Sequence, residues 1–327
     1  MTRLFGEMNI DLHQLKVFVA VARTRNVARA ADSLGLTASP VSRTLRTLER
    51  HTGPLFERAH HDMRLTDRGS DLLGTAVSIL QLSAVFEDKA AGVDRTLRYG
   101  TTPWITQAYT DAFRTAVGLS GLTPDEAATD VSVELLDQLR FGEIDMALVH
   151  LPIDPVHLPD ISTLVLGSYT FSLLVAADDP LVTPAPDGPV DMGDLRGRRI
   201  VTLPFSQMQP LPGQNLRDWF AAAGVTDISE IGFNDYAVLS SRLPRTHEVS
   251  IGVPDHSLSP RRGGGGPVVL LPVAGDQPRF EIGVAWRTGA TARREEIDRV
   301  VTALRDRFGR GSDGGADPAG EARAVEL

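Results

Sequence analysis

Ser39, Ser42, Arg46 and Arg50 recur at steps of three and four with Arg43 adjacent, so on a helix they share one side while Val41, Leu45 and Leu48 take the other. Hydroxyls and guanidinium groups in that arrangement make no covalent chemistry. They hydrogen-bond base edges and phosphates, and an arginine can grip a guanine with two donors at once. An ordinary solvated amphipathic face has the same composition, so spacing alone does not decide. A second group is Thr101, Thr102, Pro103 and Trp104 after the apolar LRYG, and a third is Thr202, Pro204, Phe205 and Ser206 after RRIV. Hydroxyls beside an aromatic ring suit a small organic acid or an aromatic metabolite, although turns use the same residue types.

Bond-making chemistry has little support. His60-His61 lies at a polar tip, and His150, His157, His247 and His256 are scattered through polar loops without the spacing of a metal site. There is no GxSxG elbow for a serine nucleophile. The glycines at 263–266 lack the Lys-Ser or Lys-Thr of a phosphate loop and read as a flexible linker. The absence of cysteine excludes disulfides, zinc-thiolate sites and thiol switches. No catalytic residue, metal or cofactor is expected.

The elements that must position these residues begin with a helical stripe through Leu12, Leu15, Phe18, Val19 and Ala22. Asn26 is a good N-cap for the short segment from Val27 to Leu34, and Gly35 supplies a left-handed stop. Thr37 can cap the next helix, with Pro40 in its first turn, where a missing N–H costs nothing. Two strand-like segments, LFER and MRLT, then flank AHHD. Helix, turn, helix and a β wing place the Ser/Arg face where a major groove would receive it, with Thr37, Arg58 and Arg64 as further DNA contacts.

Phe18, Val21-Ala22, Ala30-Ala31 with Leu34, Val41-Ser42, Leu48-Glu49, Gly53 with Leu55-Phe56 and Arg58, and Leu65-Thr66 with Gly69 stand in register with the N-terminal signature of LysR-type regulators. The sequence resembles that family, with Ala38 where relatives usually place glutamine. The resemblance implies a fold of three parts: a winged helix-turn-helix over 1–66, a linker helix over 67–95, and a two-lobed α/β effector domain over 96–308 like that of periplasmic solute-binding proteins. The first lobe would take about 96–168 and 270–308 and the second about 169–269, followed by a tail at 309–327 whose composition suits disorder. It also implies duplex DNA with an imperfect inverted repeat as partner, a small anionic metabolite as effector, and a homodimer or tetramer, with RNA polymerase among the partners open to it.

Thr66 is a natural cap for the linker helix, where Leu72, Leu73, Ala76, Ile79, Leu80 and Phe86 fall on two adjacent stripes. A helix buried within one domain would show the same pattern. The favoured reading, which the resemblance implies, is an antiparallel pair with a second copy. Beyond residue 96, short apolar strands alternate with helices, as in layered α/β folds. GLTPDEAATD, with Pro124 and three acids, is a poor strand, and SSRLPRTHEVSIGVP with RRGGGG leaves the far edge of the second lobe open.

The formal net charge is −9, yet residues 1–66 hold ten Lys or Arg against six Asp or Glu, a net of +4 that leaves −13 on the rest. A basic head on an acidic body fits a nucleic-acid contact confined to one end. Neither an export signal nor an unbroken apolar run of membrane length is evident, so a cytoplasmic protein without membrane partners is expected. A solute-binding protein would leave the basic head unused. A winged-helix repressor without a sensor would leave more than half the chain unused.

Overall fold

The computed structural model describes residues 10–59, 62–92, 96–102, 105–151, 158, 160–182, 189–202, 210–232, 238–252, 266–289 and 293–309. The chain divides into two compact units. One is Met1–Arg95 with Gln138–Glu143 and Arg287–Arg294, and the other is Thr96–Asp137 with Ile144–Trp286 and Glu295–Leu327.

In the first unit, Asp11 starts helix α1 (Leu12–Thr24). Its carboxylate accepts the Gln14 amide at 2.7 Å while the Gln14 side chain accepts the Asp11 N–H, a reciprocal cap. Asn26 accepts the amides of Ala28 and Arg29 and so opens α2 (Val27–Ser33). Gly35, at φ +66°, reverses the chain in a conformation that costs a side chain dearly. Helix α3 (Ala38–Thr52) follows. Thr37 holds the N-cap position in extended backbone but makes no side-chain cap bond, so the expected capping is absent.

Strands β1 (Phe56–Ala59) and β2 (Asp62–Leu65) pair antiparallel, Phe56 opposite Leu65. Helix α4 (Asp67–Ala91) begins where the Thr66 hydroxyl accepts the Gly69 amide at 3.0 Å. Phe18, Val21, Val41, Leu45, Leu48 and Leu55 meet in a core that α4 completes with Leu73, Ala76 and Val77. This corrects one expectation: Leu73 and Ala76 are only 2% and 3% exposed and serve this core, not a seam between subunits. Leu72 and Leu80 are half-buried against it, while Ile79 is 40% exposed, Leu82 52% and Phe86 73%. Within residues 67–87 an 18-residue stretch has a mean hydropathy of 1.3, long and apolar enough to cross a bilayer by length and composition. The inner stripe of that segment is occupied by the core just described.

In the second unit the chain runs through β3 (Thr96–Thr101), α5 (Gln107–Leu119), β4 (Thr123–Thr129), α6 (Ser132–Arg140), β5 (Met146–Leu151) and β6 (Ile161–Tyr169). It then forms β7 (Ser172–Ala176), β8 (Ile200–Thr202), α7 (Pro210–Ala222), β9 (Ile228–Glu230), α8 (Leu239–Thr246), β10 (Val249–Gly252) and β11 (Val268–Leu271) before β12 (Phe280–Arg287) and α9 (Arg294–Phe308). Two five-stranded sheets result, in the orders β4-β3-β5-β12-β6 and β11-β7-β10-β8-β9. Each has its own core, Tyr99, Phe113, Leu148 and Val300 under the first, Leu173, Ile200, Phe220 and Val249 under the second.

The chain leaves the first sheet after Tyr169 and returns with Phe280, so VVLL at 268–271 belongs to the second sheet and the return lies beyond residue 270. Residues 123–129 do form a strand, contrary to their composition. Strand β4 is at the sheet's edge, where Pro124 opposite Leu97 interrupts nothing on its free side. The uncertain SSRLPRTHEVSIG supplies α8 and the buried β10, which pairs with both β7 and β8. The glycines at 263–265 and the tail from 310 lie outside the described residues.

Candidate nucleic-acid interface and ligand site

The apolar side of α3 is anchored by Val41, Leu45 and Leu48, all essentially buried, which fixes what its other side presents. Thr37, Ser39, Arg43, Arg46 and Arg50 are exposed, and Ser42 is half-buried beside them. Arg50 donates to the Thr47 hydroxyl at 3.0 Å, and Thr47 in turn bonds the Arg43 carbonyl, so the last turn of this face is tied together. On the wing, the Arg64 guanidinium pairs with Asp62 at 2.9 Å and stays largely exposed. An exposed pair of that kind is worth little, and a phosphate can replace its acid. Arg58 belongs to β1, but its side chain lies outside the described residues.

Strands β3 and β8 each run parallel to their neighbours and end at Thr101 and Thr202. Ligands of layered α/β folds sit beyond such strand ends, where backbone N–H groups point outward. Thr101 is committed: its hydroxyl donates to Glu126 at 3.0 Å, a carboxylate that also accepts from the Tyr99 hydroxyl at 3.1 Å. Burial, with the Glu126 charge second, pushes the Tyr99 phenol up to about 12. Thr102 is buried, its amide donating to the Leu148 carbonyl. Thr202 is 0% exposed, and its hydroxyl oxygen has no hydrogen-bond partner among the described residues. Leaving a buried hydroxyl unsatisfied costs about 1–3 kcal/mol, so a group that bonds it would be welcome. Pro103, Trp104, Pro204, Phe205 and Ser206 lie outside the described residues.

Glu126 escaped the sequence reading because its strand did. His150 escaped for another reason: it is no loop residue but part of the fully buried β5. Its amide donates to Ser132, and Nε2 is 2.6 Å from the Tyr169 hydroxyl. Where the chain passes between the two sheets, Tyr169 stacks on Phe280 and Phe171 meets it edge-on, with ring centroids 5.9 and 5.8 Å apart. Burial pushes the His150 imidazole down to about 4. His247 ends α8 in a left-handed conformation, and His157 and His256 are outside the described residues.

Comparison with known proteins agrees with this architecture. Residues 12–70 match the family described as bacterial regulatory helix-turn-helix protein, lysR family, and residues 126–309 match the LysR substrate binding domain. The transcriptional regulator ShiR of Corynebacterium glutamicum (strain R) is 27% identical over 315 residues, 91% of this chain and 99% of that one. BudR of Raoultella terrigena is 31% identical over 180 residues, 53% of this chain and 58% of its own length. In fold, the chain is similar to a full-length OxyR variant of Pseudomonas aeruginosa, with a TM-score of 0.57 at 21% identity, covering 91% and 96% of the two chains. It is also similar to full-length CbnR in complex with its target DNA, with a TM-score of 0.54 at 20% identity, covering 91% and 99%. Two family matches that together run through both parts of the chain place it: the protein belongs to the LysR family, DNA-binding transcriptional regulators that carry an effector-binding domain.

Proposed function

We propose that the protein binds an imperfect inverted-repeat operator as a cytoplasmic homodimer or tetramer, and that a small anionic metabolite in the two-sheet unit adjusts its hold on that DNA. The observation that carries the reading is the exposed Ser/Arg side of α3, backed by a fully buried apolar side, together with the exposed Arg64 of the wing. Ser39, Ser42, Arg43 and Arg46 read base edges, while Thr37, Arg50, Arg58 and Arg64 hold phosphates and set register. RNA polymerase is a further partner of such a regulator. Gel shift on the DNA upstream of the protein's own gene tests this. A complex that survives excess random duplex is expected, and equal displacement by either duplex would reduce the reading to backbone binding.

Ile79, Leu82 and Phe86 recur at three and four on the outward side of α4 and are the proposed seam between two copies. Ile79→Asp with Phe86→Asp should halve the mass seen in sedimentation and leave the far-ultraviolet spectrum intact. An unchanged mass in a folded double variant would move the seam elsewhere.

Thr102 and Thr202 are the proposed effector contacts, Thr101 being engaged with Glu126. An effector changes DNA affinity only if it binds one state better than the other, and a coupling of about 1–3 kcal/mol is reciprocal. Thr102→Val and Thr202→Val should therefore abolish the ligand response and leave DNA affinity without ligand nearly unchanged. Titration calorimetry against small carboxylates handled by neighbouring genes measures it, and a response that both substitutions leave intact would exclude these strand ends.

A further inference from the structure

The motif residues to which no DNA or ligand contact is assigned above converge on one stretch of backbone. Glu49, in the last turn of α3, accepts the amide of Leu55 at 3.0 Å and that of Phe56 at 3.3 Å through the same oxygen, Oε1. From the opposite side, the Leu55 carbonyl accepts the Thr66 amide at 3.0 Å and the Thr66 hydroxyl donates to the Pro54 carbonyl at 2.9 Å. Arg68 donates to the Thr52 carbonyl just upstream. A Cβ added at Gly69 would stand 2.2 Å from the Leu55 oxygen, so the first turn of α4 lies directly on this segment. The N–H groups of Leu55 and Phe56 are held to α3, and the carbonyls of Pro54 and Leu55 to Thr66, the residue that caps α4.

The segment leads straight into β1, and a two-stranded ribbon has little orientation of its own. Away from its root the wing is held to the end of α1 by the Met63 amide on the Arg25 carbonyl and by Phe56 on Phe18, and at its root it is held to α3 by Glu49. Local electrostatics would favour another residue at position 49. The C-terminal end of a helix favours cations, and a carboxylate beside the arginine face repels phosphates. A glutamate serves neither purpose, whereas its reach to two amides serves the wing.

We infer that Glu49 is a positioning residue for DNA binding: it sets the wing against the recognition helix, so that both meet the same duplex at once. This rests on the DNA-binding reading above. Arg46 and Arg50 flank Glu49 on α3, so the helical turn that faces DNA also carries the wing's anchor. Losing the anchor should cost the wing's phosphates and spare those held by α3.

The test uses the full-length protein and a duplex that the wild type selects from a random pool, with affinity followed by fluorescence anisotropy from 50 to 200 mM salt. Glu49→Gln keeps an acceptor oxygen at the same reach and should bind within about twofold of wild type with the same salt slope. Glu49→Ala, and Glu49→Asp, which keeps the charge but falls one methylene short, should bind at least about tenfold more weakly. Their slopes of log K against log salt should flatten by about 0.9 for each phosphate released. A purely structural role would lower the active fraction and leave the slope untouched. A wild-type slope kept by both the alanine and the aspartate variant therefore overturns the inference, as does equal behaviour of glutamine and alanine. Should the alanine variant not fold, the glutamine and aspartate variants decide alone. A wild type without steep salt dependence overturns the DNA-binding reading itself, which separates the two failures.

Discussion

Raising salt from 50 to 200 mM is expected to weaken binding of the operator duplex by about 10³- to 10⁵-fold, the loss that goes with 6–10 neutralised phosphates. The excess of cations is confined to the head, where residues 1–66 carry +4 against −13 elsewhere, so counterion release must originate there. Replacing Arg43 or Arg46 by alanine should cost about 1–3 kcal/mol on the operator and relax selectivity at one base pair, if the guanidinium reads an edge. Replacing Arg58 or Arg64 should weaken all duplexes alike and reduce the salt slope by about one. Anisotropy titrations at four salt concentrations, on operator and shuffled duplex, separate the two kinds of contact. A flat response for the wild type would exclude a phosphate-dominated interface.

Acidification should destabilise the two-sheet unit by about 3 kcal/mol through a single side chain. His150 is buried, and burial pushes its imidazole from 6.5 down to about 4. Between those values the unfolded chain takes up a proton that the native state refuses, so stability falls as pH drops from about 6.5 toward 4. At 1.36 kcal/mol per unit the window of about 2.5 units yields that figure. His150→Gln retains a polar group toward the Tyr169 hydroxyl and cannot acquire charge. Urea unfolding at pH 7, 5.5 and 4.5 should show wild type and variant converging as pH falls. Other groups, such as Glu248, which the Arg242 hydrogen bond holds below the usual carboxylate range, titrate in both proteins and cancel in the comparison. Parallel curves would mean that the native state protonates His150 without penalty.

The helix-turn-helix could be read from the chain because its signals are local: a cap at Asn26, a stop at Gly35, a period of three and four through Val41, Leu45 and Leu48. The two stripes of α4 were equally visible, but periodicity does not say what covers each. Leu73 and Ala76 turned out to face α1, and only burial separates them from Ile79 and Phe86. Strand β10 was hidden for a related reason, since a short segment buried on both faces has no alternation to betray it. At the ligand site, the threonines at 101 and 202 were legible as strand ends, whereas the Glu126 contact crosses 25 positions and leaves no pattern. Glu49 was visible as a motif letter. Its two backbone bonds were not, because a side chain that serves another segment's amides follows no period.

Strand β4 has one more consequence. An unpaired sheet edge is a template on which another copy of the chain can extend the sheet, and repeated addition gives fibrils. On this edge Pro124 offers no donor, and the exposed Asp125 and Glu126 would bring like charges together in any copy added in register. The composition that makes 123–129 a poor strand is thus what stops it from recruiting others, and the protein can be concentrated without this edge seeding aggregation. Replacing Pro124 and Asp125 with β-branched residues would strengthen the strand and remove that protection.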